Sequence, residues 1–308
     1  MISVWQVLLL MVMAPFVQGY VQWLKARIQG RIGPSPLKPW RDLRKQLAKE
    51  VVLSNAASWV SRLVPYLSLG LVLGAAACLP VLSGLPGPLL GSGSIFLFLS
   101  LLAFSRLSLL LLGLDSGSAF AGMGAGRDLL FSLLVEPTIF ISLLAVGLPA
   151  DATAFPGILR AAAANTSQNP AVASLALVAI AGVILVETGR LPVDNPDTHL
   201  ELTMVHESFL LESSGRYLAL LSFSAQLRQL LWYTVLFAAC FPWGINESST
   251  GAGFAIAILS FLIKVLFASS AVAVIEGVFA KWRVFAVPRY LTFMLALAVA
   301  AMLADAIL

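Results

Sequence analysis

Apolar residues run along this chain in eight long stretches, roughly 2–24, 63–83, 94–114, 128–149, 170–187, 216–241, 252–279 and 289–308. Polar, glycine-rich or proline-rich connections separate them. Each stretch is close to the about 20 mainly apolar residues that an α-helix needs to cross a hydrocarbon core. The pattern predicts an all-α polytopic membrane protein with eight transmembrane helices in a single domain. The first stretch, Ile2 to Leu24, lacks a basic leading segment and exceeds the about 7–15 apolar residues of a signal peptide. It is therefore expected to stay as a span, stopped by Lys25 and Arg27.

Composition strengthens this picture. The chain is 59% apolar and only 11% charged, with a mean hydropathy of +0.94, against about 45–50% and about 25% for a soluble domain. The net charge of +4 does not point to nucleic acid, because the basic residues gather in one loop and near helix ends. Lys25, Arg27, Arg31, Lys38, Arg41, Arg44, Lys45, Lys49 and Arg62 fall in the first connection. Arg127 falls in the third, Arg190 and Arg216 in the fifth, and Lys281, Arg283 and Arg289 in the seventh. The positive-inside rule then makes the odd-numbered connections cytoplasmic and puts both termini outside, in a multi-pass protein of the cytoplasmic (inner) membrane. Cys78 and Cys240 lie far apart in apolar runs and read as packing residues. With no Cys-x-x-Cys and no Cys/His cluster, this chain alone offers no ligand set for an iron–sulfur cluster or a nickel site.

Two cytoplasmic segments stand out as docking surfaces. The first, 25–62, contains Gly33 and Pro34 as turn formers and then a stretch to Glu50 in which Trp40, Leu43 and Leu47 recur at helical spacing. Arg41, Arg44, Lys45 and Lys49 take other faces, which predicts an amphipathic surface helix. Such a helix can rest on anionic lipid or receive a soluble partner. The second, 187–215, is dense in acids: Glu187, Asp194, Asp197, Glu201, Glu207 and Glu212. Pro192 and Pro196 stop the preceding helix and stiffen the exit. Thr198 to Glu201 has capping-box spacing, so Glu201 can serve backbone donors alone. His199 and His206 make no metal site by themselves.

Further acids and bases lie inside apolar runs, where charge is expensive and expected to face the bundle interior or water. Asp115 and Asp128 flank a glycine-rich connection, with Asp128 expected in the first turn of the next helix, where the dipole favours a carboxylate. That connection lacks the lysine of a phosphate loop and follows no strand. Glu136 follows eight residues after Asp128, about 12 Å further along a helix. Arg228, Lys264 and Glu276 lie in the later spans, each able to pair with an acid or base from another helix. For Glu136 a purely structural carboxylate is the competing reading, and for Glu276 an ordinary interfacial charge.

Glu187-Thr-Gly-Arg190-Leu-Pro192-Val-Asp194 resembles the E-T-x-R-x-P-F-D signature of the complex I subunit 1 family. That family holds the quinone-site membrane subunit of respiratory NADH dehydrogenase and its relatives in membrane-bound nickel–iron hydrogenases. Gln29-Gly30-Arg31-Ile-Gly33-Pro34, Trp40-Arg-Asp42-Leu-Arg-Lys45 and the spacing from Arg127 to Glu136 are similar too, so the resemblance covers essentially the whole chain. Within the family, Asp194-Asn-Pro-Asp197-Thr-His199-Leu-Glu201 and Gly113-Leu-Asp115-Ser-Gly-Ser look closest to the hydrogenase-4 and formate hydrogenlyase type. Val193 stands where respiratory members carry phenylalanine.

The resemblance implies a non-catalytic membrane subunit of a redox-driven proton-translocating complex. No cofactor is expected in this chain; iron–sulfur clusters and a nickel–iron centre belong to hydrophilic partner subunits on the cytoplasmic face, and a quinone is an open option. Antiporter-like membrane subunits are the other expected partners. Arg27, Arg31, Gly33, Pro34, Trp40, Arg41, Arg44, Lys45, Arg127, Arg190 and Pro192 would serve docking. Glu136, Glu187, Asp194, Asp197, Glu201, Glu207, Glu212, Asp115, Asp128, Lys264 and Glu276 are the candidate proton path, since carboxylates crowded in low dielectric couple their titrations. The alternatives are a quinone-reducing subunit, a stand-alone ion transporter and a passive anchor.

Overall fold

A computed structural model describes residues 2–54, 56–81, 93–147, 154–159, 162, 170–194, 205, 208, 210–241, 243–244 and 251–307. Asp197, His199, Glu201, His206 and Glu207 lie outside the described residues. The described chain is helical, apart from an isolated antiparallel pairing of Ser94 with Ala154. The long helices are α1 (Ile2–Ile28), α3 (Trp59–Cys78), α4 (Ile95–Asp115), α5 (Ala119–Gly147), α6 (Pro170–Glu187), α7 (Gly215–Cys240), α8 (Gly251–Val278) and α9 (Ala286–Ile307). A short helix, α2 (Lys38–Leu47), follows α1. The eight expected spans are all present.

Seven of the long helices meet the length and apolarity needed to cross a membrane, and α7 does not. The reason is position. α7 touches α1, α2, α3, α6 and α8 and is buried along most of its length. A helix walled by other helices meets protein rather than lipid, so it can carry Gln226, Arg228 and Gln229 that an outer helix cannot.

α5 begins at Ala119, well before the expected start at 128. The glycine-rich stretch is thus mostly helix rather than loop, as membrane helices tolerate glycine. Gly124 has a packing reason as well: a Cβ there would overlap Ser208 and crowd the carbonyl of Val205. The longer helix moves Asp128 out of the first turn and into the bundle, where it is buried. α2 also differs from its sequence pattern. Pro39 and Leu43 are its buried residues, while Trp40 and Leu47 stay exposed with Arg41, Arg44 and Lys45.

The odd-numbered connections meet at one end of the bundle. Asp115, closing α4, accepts hydrogen bonds from the amides of Ser58 (3.0 Å) and Ser61 (3.1 Å) and so caps the start of α3. Ser214 exchanges hydrogen bonds with the amide (2.6 Å) and carbonyl (2.7 Å) of Val52. The Trp282 amide donates to the Pro192 carbonyl at 2.8 Å.

The exit from α6 is set by backbone geometry. Gly189 has φ +60°, and the amides of Arg190 and Gly189 return to the carbonyls of Leu185 (3.0 Å) and Val186 (3.1 Å). This is a Schellman motif, with glycine in the left-handed position. A side chain there costs about 1–2 kcal/mol, so Gly189→Ala should lower the apparent Tm in detergent by a few degrees and leave the helix content unchanged by circular dichroism.

Candidate functional site

The buried charges fall into two groups on either side of the α6 exit. In the first, Arg106 of α4 is the hub. Its guanidinium hydrogen-bonds the Glu187 carboxylate, lies 3.4 Å from Asp128 through Nε, and approaches Glu136 through Nη1 at 3.9 Å. Arg106, Asp128 and Glu187 are all buried, whereas the Glu136 side chain is 50% exposed. Glu136 thus joins the group from its half-exposed edge. It sits roughly 26 Å along α5 at 1.5 Å per residue, beside Pro137, on the outer side of the α4/α5 pair. Arg228 of α7 stands behind Arg106 and donates to Ser105 Oγ at 2.8 Å. Ser105 in turn shares hydroxyl contacts with Ser68 (3.1 Å), which reaches Ser224 (3.4 Å).

In the second group Arg190 is the hub. The Schellman turn carries it back into the bundle, where it pairs with Glu276 at 3.2 Å and donates to Gln18 and to Gln229 (2.6 Å). Gln229 passes the chain of hydrogen bonds to Tyr233 at 2.7 Å. Glu276 also takes Lys25 at 3.3 Å. Asp194 pairs with Lys281 at 2.7 Å and accepts the Val205 amide at 3.1 Å. Arg106, Arg190, Lys25 and Lys281 are thus ion-paired with Asp128, Glu136, Glu187, Asp194 and Glu276, while Arg228 is held by Ser105. Burying so much charge is tolerable only with such matching and with hydrogen bonds to the remaining donors and acceptors.

A chamber of about 240 Å³ separates the two groups. Gln18, Asp128, Glu187, Arg190, Asp194 and Arg228 are among its walls. That volume and lining suit several hydrogen-bonded waters. On the other side of Glu187 lies a larger groove of about 750 Å³ between α4 and α5, lined mainly by leucine and phenylalanine, with Arg106, Glu136 and Glu187 as its charged members and Ser100 and Ser132 among its polar ones. Glu187 borders both spaces.

The structure brings together six of the sequence-derived acids and bases, namely Glu136, Glu187, Asp128, Asp194, Glu276 and Arg190. It keeps others apart. Asp115 is engaged as the α3 cap. Glu212 is half-buried in the turn before α7. Lys264 lies near the opposite end of the bundle, over the Trp243 ring at 4.7 Å, and donates to the Trp243 carbonyl. Of the docking candidates, Arg27 stacks over Trp23 at 5.5 Å and Arg41 binds Ser35. Reading the sequence passes over Arg106, the residue on which the first group depends. Its signal is plain in hindsight: an arginine in the middle of an apolar run is as costly as the midspan Lys264 that the same rule picks out. Lys25 and Lys281, read as interfacial charges, turn out to be ion-pair partners. Among the described residues, no group of three or more His, Cys, Asp or Glu could hold a metal ion.

A family model described as NADH dehydrogenase matches residues 1–306. The chain belongs to the NADH dehydrogenase family, that of complex I subunit 1. Among relatives in this family, the chain is 32% identical to formate hydrogenlyase subunit 4 of Escherichia coli (strain K12), over 92% of this chain and 91% of that one. It is 30% identical to hydrogenase-4 component C of the same organism, over 90% and 87%. A subunit of the NADH-quinone oxidoreductase of Phocaeicola vulgatus is 26% identical over 63% and 56%. The fold matches a chain of the membrane-bound sulfane sulfur reductase, an archaeal respiratory membrane complex, with TM-score 0.78 and 18% identity, over 99% of this chain and all of that one. The fold is therefore shared with that archaeal chain, and this chain is a multi-pass membrane protein.

The hub role of Arg106 is testable. Arg106→Leu would remove the guanidinium that Glu187 is hydrogen-bonded to, a loss on the order of 3–5 kcal/mol for a broken buried pair. The variant should give little monodisperse protein on gel filtration in detergent, while Lys264→Met, remote from the cluster, should elute as the parent does.

Proposed function

We propose that this chain is the membrane subunit of a redox-driven, proton-translocating complex of the membrane-bound hydrogenase type. In that reading the end of the bundle carrying α2, the Arg190 turn and Asp194 faces the cytoplasm. There it holds a peripheral arm whose iron–sulfur and nickel–iron centres lie in other subunits. The relatives support the class of complex: those spanning nearly the whole chain are subunits of formate hydrogenlyase and of hydrogenase-4. The positive charge of the first connection, exposed with Trp40 and Leu47 on α2, supports that end as the docking side.

The observation that carries the proton role is the position of Glu187. It is buried, ion-paired, and borders both the polar chamber and the α4/α5 groove. A carboxylate there can take a proton from chamber water on one side and exchange it with the Arg106 group on the other. Arg190 and Asp194 line the same chamber and are tied to the cytoplasmic connections through Trp282 and Lys281. A displacement of those connections by a docked partner changes the charge that Glu187 meets. Redox turnover in the partner can thereby bias proton occupancy here without any electron entering this chain.

Glu187→Gln keeps the shape and one hydrogen-bond acceptor for Arg106 but cannot carry a proton away. The complex purified with this variant should contain all its subunits and turn over its redox substrate. In proteoliposomes, protons moved per electron pair should drop to a small fraction of the parent value. Normal coupling in this variant removes Glu187 from the path.

A further inference from the structure

Where α3 and α7 start, four side chains form one continuous patch on the flank of the bundle. Tyr66 of α3 and Tyr217 of α7 meet edge to face, with ring centroids 5.9 Å apart. The Arg216 guanidinium lies over the Tyr217 ring at 5.8 Å. Arg62, one turn before Tyr66, shares its face of α3. Both arginines are exposed, and among the described residues neither pairs with a carboxylate. The acids closest to them serve otherwise. Asp115 is taken up by Ser58 and Ser61 at the start of α3, and Glu212, four residues before Arg216, makes no ion pair with it. Neither tyrosine hydroxyl bonds a described residue.

The patch continues into the span. Arg62, Tyr66 and Gly70 recur at steps of four along α3, about 12 Å in all. Leu63 and Leu67 lie beside this row and are exposed with it. Gly70 is exposed too, and an added Cβ there would meet nothing within 4 Å, so the row ends in a shallow notch. Trp59, 70% exposed one turn before Leu63, suits the boundary between headgroups and hydrocarbon, where membrane proteins concentrate tryptophan and tyrosine.

From this we infer that the patch of Arg62, Tyr66, Tyr217 and Arg216 binds the phosphate of an anionic phospholipid, with an acyl chain lying along Leu63, Leu67 and Gly70. The inference goes beyond the proposed redox role and requires only that the bundle lie in a membrane. Three features select this ligand. Guanidinium groups grip phosphate through paired N–H donors, and the tyrosine hydroxyls add two more. A headgroup carrying its own amine would set a further cation beside Arg62 and Arg216, so one whose phosphate is unbalanced suits the patch. The row then runs down the side of α3. A soluble arm seated on the end of the bundle would leave Leu63, Leu67 and Gly70 unmatched, whereas an acyl chain covers them. Any exposed arginine near a helix end is drawn to anionic lipid; here two helices bring one cation each to a shared pair of stacked rings.

A photo-crosslinking residue at Leu67 tests this, in the chain purified with its co-purifying subunits and reconstituted into equal parts phosphatidylglycerol and phosphatidylcholine. Phosphatidylglycerol adducts should exceed phosphatidylcholine adducts by about tenfold. Arg62→Gln with Arg216→Gln should return that ratio to the bilayer's own. Lys38→Gln with Arg283→Gln, which removes the same charge elsewhere on this end of the bundle, should leave the preference as it is. If the first pair of changes lowers the yield of folded chain, Arg62→Lys with Arg216→Lys decides the matter: the charge stays, the two-pronged grip is lost, and the ratio should fall to an intermediate value. Adducts in bilayer proportion from the parent chain, adducts to another polypeptide, a ratio that survives loss of both arginines, or an equal fall in the Lys38 and Arg283 control would each overturn the inference.

Discussion

Placing Arg106 among three carboxylates inside a membrane bundle is the condition the rest of this structure satisfies. A bare guanidinium or carboxylate in a low-dielectric interior is unfavourable by several kcal/mol even after relaxation. Grouped, each ion becomes the solvent of the others. α4 supplies the cation, α5 supplies Asp128 and Glu136, and α6 supplies Glu187. Three helices are thereby fixed against one another at one depth. Apolar packing alone does not do this between membrane helices, because lipid chains compete for the same contacts. The central position of α7 follows from the same condition. It brings Arg228 beside this cluster and Gln229 to Arg190, so it gives up apolarity and is walled off from lipid.

The second group, around Arg190, joins that interior to the polar end of the bundle. Arg190 reaches α1 through Gln18, α7 through Gln229 and α8 through Glu276. Lys25 adds the last turn of α1, and Lys281 the connection after α8. The aromatic contacts of Phe98 with Phe155 and Trp232, edge to face at 5.3 and 5.9 Å, hold the α4–α7 layer beneath. The polar groups are confined between this packed layer and the connections, and the two cavities lie where those charges meet.

Much of this is legible in the sequence, for a physical reason. A hydrocarbon slab imposes one length on every span, so eight apolar runs give eight helices. The start of α5 is misjudged because glycine breaks soluble helices more readily than membrane ones, and Gly124 is demanded by Val205 and Ser208, which lie far along the chain. Individual acids such as Glu187 and Glu136 are visible as costly anomalies. Their partners are not, since helical spacing tells which residues share a face but not which face it meets. Arg106 shows the cost of attending to acids first: the cation that makes them tolerable carries the same anomaly. Glu136 is such a partner, reaching Arg106 from a half-exposed position on α5 that its spacing alone does not reveal.

The turn at Gly189 has a mechanical corollary. It reverses the backbone between Glu187 and Arg190, so that two opposite charges a few residues apart face one polar chamber from different pieces of main chain, one inside a helix and the other beyond its end. The negative pole is aimed by its own helix, and the positive pole by the side chains of α1, α7 and α8 that grip it. Separate parts of the bundle thus set the two ends of one local electric field.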